Sequence, residues 1–86
     1  MEVLYALLDY LVAWGERVHG VNLRLDPDAM EKLSQAAERA LSNLSEAEST
    51  IISLPFLSAG LDGPVHFEVT VTRKKLEEIA APRRGV

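Results

Sequence analysis

"TIISLPFLSAGLDGPVHFEVTV", Thr50 to Val71, is where the periodicity of the chain changes, and that change decides the fold class. In its second half Val65, Phe67, Val69 and Val71 are separated by His66, Glu68 and Thr70. A period of two puts the first set on one side of a strand and the second set on the other. "TIISLPFL" reads as the partner strand. Pro55 is confined there to an edge position or a bulge, because it has no N–H to give to a ladder. "SAGLDG" supplies the turn chemistry between the two. The result is an antiparallel hairpin with one apolar face, and that face needs cover.

The cover is helical. Leu4, Leu7, Leu8, Leu11 and Val18 recur at intervals of three and four, which places them on one face of a helix from about Glu2 to His19. Gly20 ends it, as a residue that accepts the left-handed conformation beyond a helix. "VNLRL" then reads as a short extended connection with Val21 and Leu23 tucked beneath. Asp26 caps a second helix, and Pro27 takes its first position, where a missing N–H is harmless. That helix runs to about Leu44, with Met30, Leu33, Ala37, Ala40 and Leu44 inward and Glu31, Lys32, Gln35 and Arg39 outward. Thr72 caps a last helix, "RKKLEEIAA", with Leu76 and Ile79 inward and Pro82 as its stop. The expected fold is α+β: two helices, an antiparallel β-hairpin and a short C-terminal helix, with the helices packed on one face of the sheet.

Bulk properties limit the function. A chain of 86 residues makes one domain, 1–86, and at that size buries only about 60% of its unfolded surface, which leaves little room for a large catalytic cleft. Its 13 acids outnumber 9 bases, and the bases cluster only at Arg73–Lys75 and Arg83–Arg84, too few for a surface that tracks phosphates. Nucleic acid is therefore not an expected partner. The apolar run Val3–Trp14 is shorter than the roughly 20 residues a bilayer requires, and Asp9 interrupts it. Glu2 stands where a secretory signal would carry positive charge. The expected location is the cytoplasm, without membrane contact. With no cysteine, disulfide and thiolate chemistry are excluded. His19 and His66 are the only imidazoles, at spacings that make no metal site, and His19 reads as a favourable charge at a helix end. Glu77 and Glu78 follow Arg73, Lys74 and Lys75 at helical spacing, a solvated face with weak ion pairs.

"LRLDPDAMEKLSQAAERALSNLS" followed by "TIISLPFLSAGLDGPVHFEVTVTRKKLEEI" resembles one continuous piece of the seventy-kilodalton heat-shock chaperones of the bacterial DnaK type, over roughly Leu8 to Ile79. The resemblance implies subdomain IIB, the upper quarter of lobe II in an actin-like ATPase domain. The family's phosphate-binding loops and metal-coordinating acids lie elsewhere in that domain, so no ATP hydrolysis is expected of this chain alone.

The resemblance also implies two roles for subdomain IIB: half of an adenine clamp, and a surface that nucleotide exchange factors lever outward. The clamp uses a Glu, a Lys three residues later, often an Arg beside it, and a Ser at the end of the same helix. Here those positions are Glu38, Leu41, Ser42 and Ser45, all on one helical face. Leu can supply the apolar cover of a Lys stem but not its charge. The clamp is expected to be degenerate, with no cofactor bound and residual adenosine affinity through Glu38, Ser42 and Ser45 as the alternative.

The first helix departs from the family most. Gly15 occupies a position that is usually aromatic, and Ala13 and Trp14 replace usually acidic residues. A natural relative that drifted would explain this; redesign of an excised subdomain, favoured by the start at Met1, is the expectation. Val3, Leu7, Tyr10 and Trp14 draw a second apolar stripe beside the core stripe. With Gly15 allowing close approach, they form the expected interface for a protein partner or for self-association. The expected function is that of a non-catalytic scaffold or interaction module, with a nucleotide exchange factor as the natural alternative partner.

Overall fold

The computed structural model describes residues 2–60 and 63–80. The elements are α1 (Glu2–His19), a 3-10 turn (Leu23–Leu25), α2 (Pro27–Leu44), β1 (Ser49–Gly60), β2 (Gly63–Thr72) and α3 (Arg73–Ala80). The fold is α+β, as the change of period predicts. Leu61, Asp62, Ala81, Pro82 and the Arg83–Arg84 pair lie outside the described residues.

Each helix boundary has a local cause. Gly20 takes a positive φ of 70° and its N–H closes onto the Glu16 carbonyl at 2.9 Å. Asp26 caps α2 through its side chain, which accepts from the Ala29 N–H at 3.2 Å, and Pro27 begins the helix. The Thr72 hydroxyl accepts from the Lys75 N–H at 2.9 Å and caps α3. The expected extended connection is instead one turn of 3-10 helix. Asn22 causes the difference, because its side chain accepts from the Arg24 N–H at 3.1 Å and tightens the chain. Leu23 is buried by that turn.

The two strands pair antiparallel from Ser49↔Thr72 to Gly60↔Gly63, with Ile52 opposite Val69 and Leu54 opposite Phe67. Val65, Phe67, Val69 and Val71 are buried while His66, Glu68 and Thr70 are exposed. Pro55 marks a bulge: between Leu54 and Ser58 the register slips, and Phe56 adopts a left-handed φ of 56°. The Phe56 N–H, turned out of the ladder, donates to Nδ1 of His66 across the strands at 3.3 Å.

The core joins Leu7, Leu11 and Val12 of α1 to Leu23, to Leu33, Ala36, Ala37, Ala40 and Leu44 of α2, and to Ile52, Leu57, Phe67, Val69 and Val71 of the sheet. Among the described residues no polar or charged side chain is buried with it. Val18, expected inside, is 53% exposed. Leu23 lies against Gly15 and closes the core at that level, which leaves Val18, one turn further along α1, on the solvent side.

Long-range contacts fasten the two ends of α2, one to α3 and one to the hairpin. Arg73 reaches the end of α2, its Nε donating to the Leu44 carbonyl at 3.0 Å and its Nη2 to the Ala47 carbonyl at 3.1 Å. A cation there satisfies orphan carbonyls and complements the helix dipole. At the other end of α2, the Ser58 hydroxyl donates to the second carboxylate oxygen of Asp26 at 2.8 Å. That bond, then the Ala29 N–H, holds the Asp26 carboxyl below its ordinary value. A depressed carboxyl contributes stability that is present above its unfolded value and lost as pH falls through the folded one. We expect the urea midpoint to drop as pH falls below about 4. In Asp26→Asn it should start lower and fall less steeply over the same range, which denaturation at a series of pH values would measure.

Candidate functional site

The site expected from the sequence lies on α2. Its residues reach the solvent side because alanines and leucines at helical spacing hold the other side to the sheet. Glu38, Ser42 and Ser45 are exposed, and Leu41 is half-buried and packs against the core. The face therefore offers one carboxylate and two hydroxyls. Ser45 is also the C-cap residue of α2, and its hydroxyl donates back to the Ser42 carbonyl at 2.6 Å, which commits its proton to the helix end. The neighbouring Asn43 amide donates to Thr50 Oγ1 at 3.1 Å and ties α2 to β1.

Two surface grooves lie near this helix, and neither is lined by Glu38, Ser42 or Ser45. One, of about 570 Å³, sits where α3 begins and is lined by Glu48, Ser49, Thr72, Arg73, Lys74 and Glu77. The other, of about 290 Å³, runs between α2 and β1 past Arg39 and Asn43. Its helical spacing places Arg73 only on a solvated face. Its separation from Leu44 of 29 positions leaves no local pattern that would announce it as the cap of another helix.

The second expected site, the free stripe of α1, is largely folded onto the chain itself. Leu7 is fully buried and Gly15 is buried against Leu23 and Phe67, so neither is available to a partner in the folded chain. Tyr10 and Trp14 are half-buried against the core, and Val3 is exposed. The reason is geometric. α1 has neighbours on two sides, α2 and α3, and a helix between two neighbours needs two apolar stripes. Leu76 and Ile79 of α3 join the packing, and the Lys75 ammonium lies 5.8 Å from the centroid of the Tyr10 ring. The Trp14 ring stands edge-on to Phe67 at 4.9 Å and to His19 at 5.7 Å. His19 ends α1 as the sequence predicts, with its Nε2 buried and unpaired.

Among the described residues no group of three His, Cys, Asp or Glu side chains could hold a metal ion, and no helix is long and apolar enough to cross a membrane. Ion pairs are few. Asp9 of α1 pairs with Arg24, and Lys75 meets Glu78 at 3.2 Å one turn along α3.

Compared with known families, residues 3–83 match the Hsp70 protein family, nearly the full length of the chain. The chain belongs to the Hsp70 family. That accounts for the order of elements as well as the quoted motifs: the Asp-Pro-capped α2 is followed by the "SLPF" strand, the "GP" hairpin and the Thr-Arg start of α3. Hsp70 proteins are a family of ATPases, and the 86 residues here make up part of such a domain.

Proposed function

We propose that the chain is a subdomain IIB element of a DnaK-type Hsp70, one domain over 1–86, acting as a non-catalytic, cytoplasmic scaffold or protein-interaction module with no cofactor of its own. The observation that supports this best is the second of the four clamp positions on the α2 face, Leu41. There Leu41 turns an apolar side chain onto the core, where a clamp needs a cation whose stem covers a purine and whose head reaches its polar edge. A carboxylate and two hydroxyls, one of them engaged by its own helix, offer an anionic nucleotide no compensating charge. The sequence also carries no Gly-rich loop that could cradle phosphates.

The partner in this reading is a protein, with a nucleotide exchange factor and a second copy as the candidates, and neither nucleic acid nor membrane. Of the expected stripe, Val3 and the half-buried Tyr10 and Trp14 remain for such a partner, beside the exposed Tyr5 and Val18 of the same helix. The reading holds for a redesigned piece and for a natural relative alike.

The test restores the cation. The chain should give no ATP turnover above a buffer control, and titration with ADP should leave the NMR signals of Glu38 and Ser45 unmoved. Leu41→Lys with Ser42→Arg should produce shifts at both residues with an affinity no better than about 1 mM, the scale for a few isolated polar contacts. Saturable shifts in the unmodified chain would favour a nucleotide-binding fragment instead. Silence in the double variant would remove the clamp alignment.

A further inference from the structure

The two edges of the hairpin are built differently. β1 carries Pro55, a bulge between Leu54 and Ser58 and the left-handed Phe56, and Asn43 of α2 reaches across to its Thr50. Proline, bulges and covering side chains are the devices that stop an edge strand from pairing with another chain. From Val65 to Val71, β2 has none of them: no proline, no lysine, and an unbroken alternation of buried and exposed residues. Among the described residues the sheet has two strands, so the edge of β2 away from β1 has no strand beside it.

We propose that this edge pairs with β2 of a second copy of the chain, antiparallel, to form a four-stranded sheet across a two-fold axis at Phe67. The side-chain pattern selects the axis. Because side chains alternate, the apolar faces of both copies stay on one side only if each residue meets one of the same set. An axis at Glu68 would set two like carboxylates directly opposite each other, which is unfavourable, and one at His66 would oppose two identical imidazoles. An axis at Phe67 puts His66 of each copy opposite Glu68 of the other, twice, and Val65 opposite Val69. His66 is prepared for this role. Its Nδ1 accepts the Phe56 N–H at 3.3 Å, an arrangement that assigns the ring proton to Nε2 and makes that nitrogen the donor a facing carboxylate accepts. Both side chains are exposed, on the face away from the helices.

This interface is independent of the nucleotide reading, and its test does not involve ligand. Sedimentation of the full chain up to about 1 mM should show a concentration-dependent dimer, with slowed amide exchange on dimerisation confined to β2. Glu68→Lys, at an exposed position, should weaken association on the order of tenfold while leaving the circular dichroism of the monomer unchanged. The exchange His66→Glu with Glu68→His keeps opposite partners facing and should recover it. A monomer at every concentration overturns the proposal. So does a dimer that tolerates Glu68→Lys but dissociates on Tyr5→Glu, which would place the contact on α1. Failure of the exchanged pair to recover a dimer weakened by Glu68→Lys overturns the axis at Phe67.

Discussion

Phe67→Ala is expected to remove about 3–5 kcal/mol of stability, out of a total on the order of 4–13 kcal/mol for a domain of this length. Phe67 is the largest fully buried side chain, 1% exposed, and it is where the layers meet. It pairs across the hairpin with Leu54, its ring meets that of Trp14 in a T-shaped contact with centroids 4.9 Å apart, and it lies against Gly15. Truncation would open a cavity between the sheet and α1, and a two-stranded sheet has no third strand to collapse into it. Phe56→Ala is the matched control. It removes the same ring from a position 68% exposed and should change stability by no more than about 0.5 kcal/mol. Urea denaturation of the three proteins at 25 °C would decide it, and near-equal losses from the two variants would mean that the core is not centred on Phe67.

What the sequence made legible were the features with a local cause. Gly20, the Asp26–Pro27 pair and Thr72 act within a turn of themselves, and each ends or begins a helix where it stands. The alternation from Val65 to Val71 is equally local, and it gives the buried face of β2 residue by residue. Pro55 announces that the ladder is interrupted, yet not that Phe56 turns left-handed or that His66 satisfies the freed N–H, because both depend on the opposite strand. The short connection misleads for a similar reason: its apolar residues suggest an extended segment, while the Asn22 side chain decides for a turn.

The candidate sites divide the same way. Helical spacing alone assigns Glu38, Ser42 and Ser45 to a solvent face, since the opposite positions are alanine and leucine. Which apolar positions of α1 are free cannot be read from spacing, because a second stripe fits a partner helix and a helix of the same chain equally well. Here Tyr10 meets Lys75 of α3, Trp14 meets Phe67 of the sheet, and Leu7 goes to the core. Arg73 fastens two elements whose meeting exists only in the folded chain, and Ser58 reaches Asp26 across 32 positions.

Gly15→Phe is expected to destabilise by about 2–3 kcal/mol, and the reason lies in its neighbour, Trp14. A Cβ at position 15 would already stand 3.1 Å from Leu23 Cδ1 and 3.3 Å from Phe67 Cε2, so a ring has no space without moving both. Overpacking of that kind costs about 1–3 kcal/mol or more, while leaving glycine behind in a helix returns only some tenths of a kcal/mol. Aromatic volume is supplied here from one residue earlier: the Trp14 indole packs against Phe67, and Gly15 lets Phe67 and Leu23 close up beneath it. The two positions then act as one packing unit and should not be additive. Trp14→Ala alone should cost about 2–3 kcal/mol, less than a fully buried ring because the indole is half-exposed. The double variant, in which the new ring can occupy the vacated space, should lose about 1–3 kcal/mol less than the sum of the two. A double-mutant cycle by denaturant titration measures that difference directly. Strict additivity would mean that Gly15 and Trp14 are separate departures, with no exchange of volume between them.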